Sequence, residues 1–218
     1  MKIRLFVLLL LLCYVKSVSQ QEYKTQIFSF APISANVKTV NGMVLGVWHY
    51  DYDLEIPKHI NGLNIEINPV SPLLLLYIDP QKRIDISLEV RLVQNGLHLS
   101  IGGFLGNVKQ NGMGVSLYNI TCASNGLTLT AFYNYSLEMN GLHIAGLKND
   151  TQKGSGLQIA IFNNAGVEFR GVQLGLLNNS EVLHGLQIGL FNKTTHTKGL
   201  QFGFWNINAK RSLPLINW

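Results

Sequence analysis

Apolar side chains alternate with small or amide residues in residues 185–192, GLQIGLFN: Leu186, Ile188 and Leu190 fall on one parity, Gly185, Gln187 and Gly189 on the other. A period of two is that of a β-strand, and the glycines argue against a helix. Close copies stand at 156–163 (GLQIAIFN), 171–178 (GVQLGLLN) and 199–206 (GLQFGFWN). The branched residues are expected to form the buried or lipid-facing side of each strand, and the small and amide residues the other side.

Motif glycines recur at Gly42, Gly62, Gly96, Gly112, Gly126, Gly141, Gly156, Gly171, Gly185 and Gly199, and from Gly96 onward the spacings are 16, 14, 15, 15, 15, 14 and 14. So regular a period marks a repeat architecture. Asparagine precedes many of these glycines, as at Asn61, Asn95, Asn111, Asn125 and Asn140, and another closes each copy, as at Asn163, Asn178, Asn192 and Asn206. Asn-Gly pairs favour tight turns, so this framing predicts where strands start and stop. The polar segments between copies, such as KTTHTK and NSEVLH, are nearly constant in length. Ordinary surface loops drift in length, so the path here is set by geometry.

The first half is less regular. VNGMVLGV (40–47) and INGLNIEIN (60–68) are recognisable copies, the apolar run Leu73–Ile78 between prolines reads as one buried strand, and DISLEVRL (85–92) alternates as another. Past Asn206 the repeat is lost, and Pro214 suits an edge strand. The division expected is a signal peptide over 1–19 and one domain over 20–218, with an irregular part to 95, regular repeats over 96–206 and a cap strand over 207–218.

The predicted class is all-β, a repeat protein of about ten units of 14–15 residues. Stacked as coils these units form a β-solenoid, which accounts for the constant period and is favoured. Run up and down, they form an antiparallel β-meander or β-barrel, with the aromatic positions Tyr118, Tyr133, Phe162, Phe191 and Trp205 at the rims. The clean alternation lasts only about six residues, where a membrane-spanning strand needs roughly 9–11. The polarity of the linking segments is the weak point of the solenoid, which needs a second buried face.

Charge and cysteines narrow the setting. Lys2 and Arg4 precede the apolar run Leu5–Leu12, and Ser17 and Ser19 stand where a secretory signal is cleaved before Gln20. Of the 17 basic and 12 acidic side chains, Lys2, Arg4 and Lys16 leave with that signal, so the remainder is 14 − 12 = +2. Neither that balance nor any basic run points to nucleic acid. Cys122 is then the only cysteine, which excludes an internal disulfide and suits a small buried hydrophobe.

No catalytic constellation is complete, so no enzymatic activity and no cofactor are expected. Asp51, Asp53 and Glu55 alternate and, with His49 and His59, form the densest polar cluster; Asp51, Asp53, Glu55 and His59 are weak candidates for a metal site, and the cluster reads more simply as a solvated loop. His98 and His143 occupy the glutamine slot of the motif, on the face expected to lie away from the core, and His184 and His196 fall in linking segments. Asn119, Asn134, Asn149, Asn178 and Asn192 stand in N-x-S/T form, and a turn explains their shared position better than glycosylation. Gln158, Gln173, Gln187 and Gln201 are expected to stack as an amide ladder; the functional alternative is a polar face that binds a glycan or a partner protein.

The unit NG-L-x-I-x-L-x-N, repeated as GLQIGLFN and followed by KGLQFGFWNINAKRSLPLINW, resembles the surface-repeat proteins of Bacteroidota and spirochaetes over residues 40–218. The resemblance implies export to the envelope of a Gram-negative bacterium, at the cell surface, outer membrane or periplasm, and brings no catalytic residues. The role expected is structural or interactive, with an envelope protein or glycan as partner; the alternative is an integral outer-membrane β-barrel.

Overall fold

The computed structural model describes residues 23–47, 56–70, 73, 79 and 89–218. Nearly all of them lie in nine strands: β1 (Lys24–Ala31), β2 (Val37–Val47), β3 (Lys58–Ile67), β4 (Leu92–Ile101), β5 (Val108–Ala145), β6 (Lys148–Ile159), β7 (Phe162–Leu174), β8 (Leu177–Ile207) and β9 (Ser212–Asn217). They pair in chain order, and every pair from β1–β2 to β7–β8 is parallel. A meander or an up-and-down barrel would pair its neighbours antiparallel. The chain is therefore a β-solenoid, with successive coils separated by one strand spacing of about 4.8 Å. Of the two strands expected at 73–78 and 85–92, residues 74–78 and 85–88 lie outside the described residues; 89–91 are described and are not strand, and Leu92 opens β4.

Register is held motif to motif. Gly42 pairs with Gly62, Gly62 with Gly96, Gly96 with Gly112, Gly141 with Gly156, Gly156 with Gly171 and Gly171 with Gly185. β5 and β8 run on through more than one coil, and inside them Gly126 stacks on Gly112, Gly141 on Gly126 and Gly199 on Gly185. At each step a Cβ on the later glycine would overlap the carbonyl oxygen of the glycine before it. From Gly42 to Gly185 the φ angles of this column, between +107° at Gly156 and +154° at Gly42, add a second reason that only glycine serves. Ile27 of β1 begins the column without a glycine, which is why the first coil is invisible to the motif.

The Asn-Gly pairs do not start strands. Gly42 is the sixth residue of the eleven in β2, and the other motif glycines likewise sit inside their strands. The residues two before and two after the glycine both face inward, as Val40 and Val44 or Gln94 and His98 do, while the asparagine between them faces out. These asparagines form an outer ladder: Asn61 Nδ2 donates to Asn41 Oδ1 (2.7 Å), Asn95 to Asn61 (2.7 Å), Asn111 to Asn95 (2.8 Å), Asn125 to Asn111 (2.9 Å) and Asn140 to Asn125 (3.0 Å).

The linking segments supply the second buried side. Ser180 and Leu183 in NSEVLH, and Thr194 in KTTHTK, point inward, while their neighbours Glu181, Lys193 and Thr195 face solvent. Their polarity is that of alternating strands with one wet face.

The interior changes along the axis. In the first coils it is apolar, built from Ile33, Val37, Val40, Val44, Ile60 and Leu92 with Phe104 and Val108. Lys58 is buried among them, and its ammonium donates to the carbonyls of Ser34 (2.7 Å) and Val37 (2.8 Å). Farther on the apolar clusters shrink to Ile120 with Tyr135, and to Ala165, Phe169 and Leu183. Amide and hydroxyl side chains fill the remainder.

At the far end β9 pairs with β8 antiparallel, so the last coil meets a strand that does not continue the winding. Pro214 lies in this outermost strand, where a missing N–H costs no ladder bond.

Candidate functional site

The four glutamines form a ladder along the axis. Gln173 Nε2 donates to Gln158 Oε1 (2.9 Å), Gln187 to Gln173 (2.8 Å) and Gln201 to Gln187 (2.9 Å). All four are fully buried, so the alternative of a glutamine-lined binding face is overturned. The physical reason is that each amide both donates and accepts, and stacking in register satisfies it without water.

A second amide ladder runs beside it. Asn134 Nδ2 donates to Asn149 Oδ1 (3.0 Å), Asn149 to Asn163 (3.1 Å), Asn163 to Asn178 (2.8 Å), Asn178 to Asn192 (2.8 Å) and Asn192 to Asn206 (2.7 Å). Several also donate to a backbone carbonyl, as Asn178 does to Ile188 (2.9 Å). Asn119, Asn134, Asn149, Asn178 and Asn192 are all buried, which leaves no accessible amide for a glycan. The hydroxyls two residues on, Thr121, Ser136, Thr151, Ser180 and Thr194, are buried as well, and Thr121 and Ser136 lie 2.6 Å apart. The N-x-S/T spacing thus records two inward positions of one strand.

His98 and His143 were expected away from the core, and both are buried in the glutamine column. His98 stacks on Phe104 with ring centroids 3.9 Å apart. His143 Nδ1 lies 2.6 Å from Thr128 Oγ1, and burial pushes its pKa down to about 4, so the ring is neutral at physiological pH. Burial likewise pushes the Cys122 thiol up to about 11, which keeps it protonated and unreactive. Tyr133 and Tyr135 are also raised, chiefly by burial and further by the carboxylate of Asp150.

Of the metal candidates, Asp51, Asp53 and Glu55 lie outside the described residues, and His59 sits half-buried in β3 opposite Thr39 and Val93. Among the described residues, no three His, Cys, Asp or Glu side chains converge as metal ligands would. His184 approaches Glu168 at 3.3 Å, and Arg170 pairs with the same carboxylate at 2.8 Å, on the exposed polar side. Arg170 holds the Glu168 carboxyl below its ordinary range.

With the amides inside, the branched and aromatic residues lie outside, the reverse of the sequence expectation. Leu147, Ile161, Leu176, Leu190 and Phe204 follow one another along the axis, with Phe162, Leu177, Phe191 and Trp205 beside them, all at least one-third exposed. Ile188 and Leu200 are exposed on the same stretch of strand, and Ile216 of β9, opposite Phe202, carries the apolar surface across the cap. In the first coils Val47, Ile67 and Ile101 stand in register on the same side. The exposed apolar side chains thus form one continuous strip along the axis from Leu147 to Phe204.

Charge gathers at one end of this face. From Val182 to Trp218 the chain contains Lys193, Lys198, Lys210 and Arg211 and no acidic side chain. Arg211 stacks on the Trp218 ring at 3.8 Å and donates to the Trp218 carbonyl (2.7 Å). Lys198, Lys210, Arg211 and His196 line a cleft of about 590 Å³ next to Trp218.

These features define a class: a parallel β-solenoid with amide ladders in its lumen and an exterior that is apolar on one face and polar on the other. No protein-family model, curated protein or solved structure matches the chain.

Proposed function

We propose that this is an exported, non-enzymatic β-solenoid of a Gram-negative cell envelope that acts through its outer surface. The observation that carries the reading is the continuous apolar face from Leu147 to Phe204, which stays outside while the glutamine column beneath it is satisfied within the lumen. The signal-like N-terminus and the resemblance to envelope surface-repeat proteins support the setting. His143 is neutral and enclosed and burial keeps the Cys122 thiol protonated, so the surface is where contact with other molecules is made.

Expression with the native N-terminus, followed by fractionation and N-terminal sequencing of the product, tests this. The expected product begins at Gln20 and sediments with the envelope, from which carbonate releases it. A cytoplasmic product with an intact N-terminus refutes export. Resistance to carbonate together with heat-modifiable gel mobility refutes a peripheral solenoid.

A further inference from the structure

We infer that the apolar face seats on an anionic lipid surface, with its C-terminal coils as the anchor. This deepens the proposed interaction role, and it rests on where apolar and cationic side chains stand relative to each other.

The last coils combine the two. Phe204 is 65% exposed and Trp218 57% exposed, and Phe191 and Trp205 stand beside Phe204 or one coil away from it. Phe191 and Phe204 meet edge to face with centroids 6.1 Å apart, so the aromatic patch is continuous. Lys193 lies two residues beyond Phe191 and Lys198 two residues before Leu200, all four facing out, so a lysine borders the face on either side. Lys210 follows at the cap. Among the described residues none of these three lysines forms an ion pair.

An apolar and aromatic surface edged by unpaired lysines is the pattern by which amphipathic elements lie in a membrane interface: rings enter the headgroup boundary and ammonium groups reach lipid phosphates. A second copy of the chain fits less well. Its coils from Val182 onward offer no acidic side chain to answer the lysines, so stacking two such ends brings like-charged side chains together. Lipid phosphates supply the missing anions.

The test uses the mature chain, residues 20–218, with vesicles of phosphatidylcholine alone and of phosphatidylcholine mixed with phosphatidylglycerol. Flotation measures binding, and tryptophan emission reports entry into the interface. Binding is expected to the mixed vesicles, with a blue shift, and to weaken at high salt. The double variant F191E/F204E and the triple variant K193Q/K198Q/K210Q are each expected to lose about tenfold or more in binding. All five positions face outward, so circular dichroism and melting temperature should stay at wild-type values.

No binding to mixed vesicles overturns the inference, as does equal binding to both vesicle types. A dimer by light scattering that is abolished by F191E/F204E, without vesicle binding, assigns the face to a second copy instead. Export with no vesicle binding sinks this inference alone. Vesicle binding by a protein that stays in the cytoplasm sinks the envelope setting and leaves the surface chemistry standing.

Discussion

Gln173 donates its side-chain amide to the side chain of Gln158 at 2.9 Å, although fifteen residues separate them in the chain. The bond exists because one coil uses up that number of residues and returns to the same place in the cross-section. Each glutamine then has an acceptor behind it and a donor ahead, so this column of the lumen is satisfied without water.

Breaking the middle of this ladder should be costly. Gln173→Leu leaves Gln158 Oε1 without its donor, and Gln187 Nε2 keeps only Ser180 Oγ (3.2 Å) and the Lys193 carbonyl (3.4 Å). The expected loss is about 3 kcal/mol, from the orphaned buried groups and the missing bonds. Urea unfolding followed by circular dichroism measures it, and an unchanged midpoint would show that the ladder contributes nothing.

The glycine column makes a sharper contrast. Gly171→Ala places a methyl on the Gly156 carbonyl at a φ of +139°, and should destabilise by roughly 3 kcal/mol or more. Gly166→Ala meets only the end of the flexible Gln152 side chain and should cost far less. Equal melting temperatures for the two variants would contradict the stacking described here.

Acid should weaken the fold through His143. Its folded pKa of about 4 lies below the unfolded value of about 6.5, so the unfolded chain binds a proton that the folded chain refuses. The stability tied to this ring is complete above about pH 6.5, falls as pH drops toward 4 and is constant below that, a change of about 3 kcal/mol. His143→Gln should flatten the profile in that window relative to wild type, because glutamine cannot titrate and stands in register with Gln158. Parallel profiles for the two proteins would rule the ring out.

The cap can be tested separately from the coils. Asn217 Nδ2 donates to Gln201 Oε1 (3.1 Å) and to the Asn206 carbonyl (3.3 Å), while its own Oδ1 accepts from Asn208 (3.2 Å). It therefore closes the glutamine ladder. Removing residues 212–218 uncovers the edge of β8 and an open amide column, and should produce concentration-dependent oligomers by light scattering. Asn217→Ala, which keeps the strand and removes the amide, should stay monomeric and lose about 2 kcal/mol. A monomeric truncation would mean that the end needs no cap.

How much of this was legible in the residues differs from feature to feature. The alternation in GLQIGLFN specified strands, the spacing of Gly96 to Gly199 specified a repeat and favoured stacked coils over a meander or barrel, which the parallel pairing then decided, and Pro214 marked the closing edge. The first coil was hidden, because Ile27 holds the glycine column with a residue that does not match the motif. The Asn-Gly pairs suggested strand ends and proved to lie within strands, since a positive φ serves a bend inside a continuous ladder as well as a tight turn.

The sequence by itself thus determined that each strand has two unlike sides and that equivalent residues recur one coil apart. Which side faces in was decided only by the tertiary structure. Alternation is symmetric under exchange of inside and outside, and the usual preference for burying Leu and Ile points the wrong way here. Gln158, Gln173, Gln187 and Gln201 are stable inside only because each finds the next at hydrogen-bonding distance, and that partner exists only once the coils are stacked.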